Sequence, residues 1–371
     1  MPSPIGTAHP RAKILSNTPE NIQRVAQAIL DGDVVGMPTE TVYGLAGNAR
    51  SPLALAKIFA TKERPTFDPL ILHVGPMAKS IGALEAYQLI DRTQLTATQV
   101  GEANQLMQEF WPGPLTLVLP KHKDIPDLAT SGLPTVALRM PQHPVALALI
   151  ATCQCPLAAP SANRFGRISP TSPKAVEEEL GDRISWILDG GHCQIGVEST
   201  ILGLNEAGDW VVFRPGGTPI EKIEKVLNRS VAFQSGTLVA PGMLESHYAP
   251  VKPLKLLPKR IQEMTASEFE TLKKDLENLS SQASIGLLLQ SGDPDAGAKH
   301  FSQATGFSVI SRSLSLNGDL TEMAHSLFSE MRALDASPAE IIYAEFSFSN
   351  QGLGFAISDR LRRASAKRPL F

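Results

Sequence analysis

The stretch Pro38-Thr39-Glu40-Thr41-Val42-Tyr43-Gly44-Leu45, followed by Lys62-Glu63-Arg64-Pro65 and by His73, sets the reading of this chain. Ahead of it, Asp33-Val34-Val35-Gly36-Met37 forms a short apolar strand that Pro38 ends. Behind it, residues 52–60 carry apolar side chains at helical spacing and lead straight into Lys62 and Arg64. One strand–turn–helix–loop unit thus gathers two cations, several hydroxyls and an imidazole. Such residues suit an anionic ligand, a nucleotide polyphosphate for example. A Lys-x-Arg pair is equally the ordinary dipole-complementing end of a solvated helix. His73, within Pro69-Leu70-Ile71-Leu72-His73-Val74, equally reads as a satisfied histidine of a buried strand.

Extended runs recur on either side of this unit, at residues 34–37, 70–74, 115–119, 136–139, 157–159, 184–188, 199–204 and 210–214. Helical patterns alternate with them at 20–31, 52–60, 103–110, 145–152, 175–180 and 219–226. The first of these follows the start signal Thr18-Pro19-Glu20 and puts Ile22, Val25, Ala26, Ile29 and Leu30 on one face. This mixture predicts an α/β domain, a large twisted, partly mixed sheet with covering helices. After about residue 233 the pattern breaks. Gly236, Pro241, Gly242, Pro250 and Pro253 mark an extended, proline-stiffened linker. From Leu254 strands at 254–257, 285–289, 307–311 and 340–344 alternate with helices at 263–279 and 320–335. That alternation predicts a second, small parallel sheet of Rossmann-like type.

Composition narrows the class. A chain of 371 residues favours two domains, and 43% apolar with 19% charged residues is the balance of a soluble globular protein. The net charge of −3 supplies no bulk field toward nucleic acid or anionic membrane. The basic run Arg360, Arg362, Arg363, Lys367 and Arg368 reads as a solvated helix face. Cys153, Cys155 and Cys193 fit no zinc spacing and no disulfide framework, and read as thiols of a reducing cytoplasm. No secretory signal and no run of about twenty apolar residues is present, so a cytoplasmic protein is expected. Two nucleotide motifs fail. Gly292 to Lys299 has Ala298 where a phosphate loop needs lysine and His300 after its own lysine. Gly352-Leu353-Gly354 lacks the third glycine of a dinucleotide fingerprint.

Other polar clusters lie at predicted strand ends, where open α/β sheets bind ligands. They are Thr135 to Pro141 with Arg139, Ala159-Pro160-Ser161-Ala162-Asn163 with Ser169 beyond it, Gly196-Val197-Glu198-Ser199-Thr200, and Phe213-Arg214-Pro215-Gly216. Trp111-Pro112-Gly113-Pro114 reads as a structural turn.

With these clusters, the linker segment Ala240-Pro241-Gly242-Met243-Leu244-Glu245-Ser246-His247-Tyr248-Ala249-Pro250 and the closing Asp359-Arg360-Leu361-Arg362-Arg363-Ala364, the chain resembles the Sua5/YrdC/YciO family in its two-domain Sua5 form. The resemblance implies a YrdC-like catalytic domain at residues 14–233, a linker or lid at 234–253 and a Sua5 domain at 254–371. It implies nucleotidyl transfer: L-threonine, bicarbonate and ATP give L-threonylcarbamoyladenylate and pyrophosphate, for tRNA t6A37 modification. ATP would enter with Mg2+ as its substrate complex, without a direct protein cage for the metal and without a tightly bound cofactor. A downstream transferase complex would receive the product, with weak or no direct tRNA binding.

The family's catalytic tetrad falls on Lys62, Arg64, Ser161 and Asn163. Its ATP contacts fall on Arg64, Asp68 (a position where Asn is also common), Thr135, Ser161, Ser169, Arg214, His247 and Tyr248. Its threonine contacts fall on Thr41, His73, Arg139, Ala159 (backbone only) and Ser199. Glu40 and Glu198 are candidate indirect metal ligands or structural hydrogen-bonding groups. Two other readings compete. A non-catalytic RNA-binding YrdC-like protein would need basic and aromatic surface, and aromatics are 6% here. A carbamoyltransferase would need zinc-type cysteine pairs, which the sequence lacks.

Overall fold

Helix starts show how closely the local sequence sets the elements of the computed structural model, which describes residues 11–234, 247–277, 279–280 and 282–366. Thr18 Oγ1 accepts from Asn21 N at 3.3 Å and opens the helix Pro19–Leu30. Ser51 does the same for Pro52–Lys62, which ends where Glu63 turns left-handed (φ 54°).

Among the described residues eleven strands form the first sheet: β1 (Lys13–Leu15), β2 (Val35–Met37), β3 (Gly44–Asn48), β4 (Ile71–His73), β5 (Leu115–Pro120), β6 (Thr135–Arg139), β7 (Leu157–Ala158), β8 (Trp186–Leu188), β9 (Thr200–Leu204), β10 (Trp210–Arg214) and β11 (Ala232–Phe233). Their order is β1-β8-β2-β3-β7-β4-β6-β5-β9-β10-β11. Parallel pairs such as β4–β6 and β5–β9 sit beside antiparallel ones such as β4–β7 and β5–β6, so the sheet is mixed.

β3 was not expected, because Gly44-Leu45-Ala46-Gly47-Asn48 has little strand propensity. Its glycines answer to neighbours instead. A Cβ on Gly44 would stand 3.0 Å from Ala159 Cβ, and one on Gly47 3.2 Å from Val34 and 3.3 Å from Ile58.

Strand alternation divides the sheet into two faces. Leu70, Leu72, Leu115, Leu117, Val136 and Leu138 point into the main core, with Leu55, Ile58, Leu106 and Met107 of the covering helices. The helices Pro19–Leu30 and Pro144–Cys153 close a second core over Val35, Met37 and Leu157. The intervening residues Ile71, Val118, Ala137, Ile201, Val211 and Phe213 form an apolar strip on the opposite face. His73 and Arg139 continue that face, as direct neighbours in the parallel β4–β6 register.

The second sheet holds β12 (Leu254–Leu257), β13 (Ser284–Leu289), β14 (Ser308–Ser313) and β15 (Ile341–Glu345), all parallel, in the order β12-β15-β13-β14. One of its helices was not expected, Pro294–Thr305, while Gly354–Ser365 carries the basic run read as a helix face. Gly297, in the first, lies where a Cβ would come 2.4 Å from Leu289 Cδ1. The rejected phosphate-loop stretch is the start of that helix, and the Asp293 carboxylate already caps it through Asp295 N at 3.0 Å. Of the expected linker at 234–253, residues 235–246 lie outside the described residues.

Loops of the first half of the chain and helices of the second share one further core. Val42, Ile168, Val197 and Tyr248 pack with Leu327, Phe328, Met331, Ile357 and Leu361.

Candidate active site

The loop after β2 folds on a hydroxyl. Thr39 Oγ1 donates to Val42 O at 2.6 Å and accepts from Thr41 N at 3.2 Å and Val42 N at 3.3 Å. This turns Glu40 and Thr41 toward Arg139 at the end of β6. Arg139 Nη2 meets Glu40 Oε1 at 2.6 Å, Nη1 donates to Thr41 Oγ1 at 2.9 Å and Nε to Gly113 O at 3.1 Å. All three residues are buried, so the ion pair is held without bulk water. His73 stands beside it. Burial, and then the Arg139 charge, push its pKa down to about 3, so it is neutral at ordinary pH. On the far strands Ser199 Oγ lies 2.7 Å from Thr116 Oγ1, while Arg214 Nη2 donates to Ser199 O at 2.9 Å.

A second polar group lies at the end of the helix Pro52–Lys62. Lys62 Nζ donates to Asn163 O at 2.5 Å and to Ser161 O, and Asn163 Nδ2 donates to Arg164 O at 2.7 Å and Arg167 O at 2.9 Å. Arg64 Nη2 pairs with Asp68 Oδ2 at 2.9 Å and donates to Pro69 O at 2.8 Å. Burial and the Arg64 charge beside it hold the Lys62 ammonium well below its ordinary pKa. Burial likewise raises the Asp68 carboxyl, against the pull of Arg64 and Lys62.

Both groups border one cavity on the open face of the sheet, with a free space of about 40 Å³. Ten of the residues singled out from sequence line it: Thr41, Arg64, His73, Arg139, Ala159, Ser161, Ser199, Arg214, His247 and Tyr248. Lys62, Asp68, Asn163 and Ser169 do not line it. Lys62 is tied to the wall residue Ser161 and Asp68 to Arg64, Ser169 Oγ donates to Glu198 Oε1 at 2.6 Å, and Asn163 is held one step further back by Lys62. Thr135 is not brought there. It begins β6, opposite Pro120, about 13 Å of strand away from Arg139 at ~3.3 Å per residue. Thr39, Val42, Gly44, Ile71, Pro160 and Glu198 complete the wall. The wall is built mostly at strand ends: His73, Arg139 and Arg214 close β4, β6 and β10, Ala159 follows β7, Ser199 precedes β9, and Ile71 and Gly44 begin β4 and β3.

His247 and Tyr248 cover this cavity. The rings lie 4.1 Å apart, Tyr248 stacks on Phe328 at 5.6 Å, and Tyr248 holds a left-handed φ of 64°. A non-glycine residue in that conformation costs about 1–3 kcal/mol and persists only where its packing fixes it. Burial, and then Arg64 and Lys62, keep His247 well below its ordinary pKa and hence neutral.

One expectation is overturned here. The closing basic run is not simply a solvated face, because Arg360 is fully buried. Its Nε donates to Glu198 Oε2 at 2.9 Å and its Nη1 to Pro215 O at 2.6 Å. Lys367 and Arg368 lie outside the described residues. Arg332, on the helix Leu320–Ala336, adds a second bridge between the sheets, to Glu179 at 2.9 Å and Ile168 O at 2.8 Å.

Three residues of the cavity wall carry buried polar atoms without a hydrogen-bond partner, His73 Nδ1, His247 Nδ1 and Tyr248 Oη, and Glu40 Oε2 and Asn163 Oδ1 lie behind the wall. Each such atom costs about 1–3 kcal/mol, so the concentration marks a surface built to meet a polar ligand. Among the described residues no group of three His, Cys, Asp or Glu side chains comes together to hold a metal. Cys153, Cys155 and Cys193 are free, and burial raises the Cys153 thiol to about 12 and Cys155 to about 11.

The chain resembles known proteins over nearly its whole length. The Sua5/YciO/YrdC family model, described as telomere recombination, matches residues 27–216. The model for the C-terminal domain of threonylcarbamoyl-AMP synthase matches residues 218–366. The chain is 38% identical to a Pyrococcus abyssi threonylcarbamoyl-AMP synthase, over 96% of this chain and 98% of that protein. It is 37% identical to the Bacillus subtilis protein of the same name, over 95% of each. A crystal structure of P. abyssi Sua5 complexed with L-threonine superimposes with a TM-score of 0.80 over 95% of this chain and 98% of the other, at 38% identity.

Proposed function

The chain belongs to the Sua5/YciO/YrdC family and, over nearly its whole length, to that family's threonylcarbamoyl-AMP synthases; from that premise we propose how its cavity works. L-Threonine and ATP are the substrates, and the nucleotidyl transfer serves tRNA t6A modification. Bicarbonate carboxylates the threonine amine, the carbamate oxygen attacks the α-phosphorus, and pyrophosphate leaves. Charge builds on the triphosphate, so positioning and charge stabilisation are the protein's main tasks.

Arg139 takes the threonine carboxylate. Its Nη1 and Nη2 each spend one N–H on Thr41 and Glu40, which leaves one on each nitrogen for a forked contact. Thr41, Ser199 and neutral His73 surround the amine and hydroxyl, and Ala159 offers backbone. Arg64, Arg214 and Ser161 face the phosphates. Lys62 and Asn163 act from behind by fixing the Ser161 loop, and Lys62 adds positive potential. Mg2+ arrives with ATP and holds the triphosphate oxygens. Glu40 and Glu198 are already engaged by Arg139 and Arg360, so they serve as ion-pair partners before any indirect contact to that metal.

His247 and Tyr248 act as a lid. A site for a ligand of nucleotide size has about 300–1,000 Å³, against about 40 Å³ of free space under the strap. The strap therefore opens to admit ATP and closes to shield the labile carbamate from water. Among the described residues no helix is long and apolar enough to cross a membrane. We place the reaction in the cytoplasm, where ATP is supplied and thiols stay reduced, with a transferase complex downstream.

The observation that carries this reading is the single cavity that unites Arg139 with Arg64 and Arg214 beneath one strap. Pyrophosphate release tests it. Release that needs both threonine and bicarbonate supports the synthase. No release under any condition contradicts it and turns attention to RNA binding without catalysis.

A further inference from the structure

Arg360 belongs to the helix Gly354–Ser365 of the second sheet, yet none of its partners among its hydrogen bonds, apart from adjacent Asp359 at 3.0 Å, lies in that half of the chain. Its Nε donates to Glu198 Oε2 and its Nη1 to Pro215 O, and its guanidinium carbon stands 5.3 Å over the Tyr248 ring. It touches the wall and the strap of the cavity without lining it.

Glu198 presents the difficulty that this contact resolves. It lines a cavity meant for a polyanion, and it lies near Arg214, the cation that faces the phosphates. A carboxylate left unopposed there would repel the triphosphate and draw the Arg214 guanidinium to itself. Arg360 meets that charge from behind the wall, where it does not compete for the ligand. The same guanidinium lies against Tyr248, whose chain neighbour His247 is tied to Arg363 O through its N–H at 3.2 Å.

We propose that Arg360 is a positioning residue for adenylation: it neutralises Glu198 in the cavity wall, so that this carboxylate does not repel the triphosphate of ATP. The second domain thus completes the nucleotide site of the first through one side chain. This rests on the synthase reading and deepens it.

The test is ATP affinity of the full chain by isothermal titration, which needs no turnover, beside threonine- and bicarbonate-dependent pyrophosphate release. Arg360→Met is expected to raise the Kd for ATP about tenfold and the KM for threonine less than about twofold. Glu198→Gln added to it is expected to bring the Kd back to within about threefold of the wild type, because it removes the stranded charge. The double variant holds no unpaired charge, so it decides the matter even where Arg360→Met does not fold. A Kd unchanged in folded Arg360→Met overturns the proposal, as does a tenfold or greater loss that persists in the double variant. Loss of melting temperature with unchanged ATP affinity makes Arg360 a domain clamp only, and also overturns it. A wild type that binds ATP but releases no pyrophosphate counts against the synthase reading alone.

Discussion

The two sheets place their buried charge differently. On the open face of the first, Lys62, Arg64, Arg139 and Arg214 are buried together around one cavity, each tied to carbonyls or carboxylates. Among the described residues at and beyond Leu254, one cation is buried, Arg360, and it reaches out of its own half of the chain to Glu198. The second sheet's buried carboxylate, Glu345, stays at home and accepts from Ile261 N and Gln290 N at 2.8 Å each. Charge in the first sheet thus gathers around a cavity, while charge in the second is met within its own half or reaches across to Glu198. The contrast predicts effects on substrates from the first region and, Arg360 apart, effects on stability from the second.

The largest effect is expected at Arg139. Arg139→Ala strands the Glu40 carboxylate and removes the threonine contact, so kcat/KM for threonine should fall roughly a thousandfold. A fall under tenfold, measured by pyrophosphate release, would put the threonine carboxylate elsewhere. Tyr248→Ala comes next, with an ATP KM expected to rise about tenfold as the lid loses its packing. Unchanged adenylate formation and ATP affinity would dispose of the lid.

His73 yields a pH prediction. Its pKa is 6.5 when unfolded and about 3 when folded, so the unfolded chain binds more protons between these values. Stability contributed by neutral His73 is complete above pH 6.5 and is lost as pH falls toward 3, by about 1.4 kcal/mol per unit. Thermal melting across that range should show the loss, and His73→Asn should lessen it by the share of His73, leaving that of His247, which burial also keeps neutral. Lys62 gives a smaller signal. Its pKa is depressed in the free protein, so the arrival of phosphates should raise it and ATP binding should take up a fraction of one proton. Titrations in buffers of different ionisation heat read this directly, and proton release instead would place Lys62 outside the phosphate field. Glu345→Gln should move the kinetics least. It replaces one acceptor of a buried N–H by a donor, so it should cost about 1–3 kcal/mol of stability while both substrate KM values stay within about twofold. A kinetic loss there would erase the distinction between the two sheets.

Much of this could be read from sequence where side-chain pattern decides structure. Short, nearly continuous apolar runs located β5, β6 and β10, because each strand is buried on both faces. β3 escaped because its glycines serve close approach to Ala159 and Ile58, a property of neighbours distant in sequence. At the site, the family motifs found the residues that touch the cavity, yet could not separate them from those one layer behind, such as Lys62 and Asn163. Thr135 shares a strand with Arg139, and its distance along that strand takes it away from the cavity. Thr39 carried a local signal, a hydroxyl placed to bond its own backbone two and three residues on. Arg360 carried none, since a basic run on a helix looks solvated until Glu198 and Tyr248 are brought against it.

Isotope-labelled bicarbonate tests the central claim most directly. Wild-type chain given ATP, threonine and labelled bicarbonate should form threonylcarbamoyl-AMP that carries the label, with one pyrophosphate released per molecule formed. ATP cleavage without labelled adenylate, or without dependence on threonine, would contradict the account.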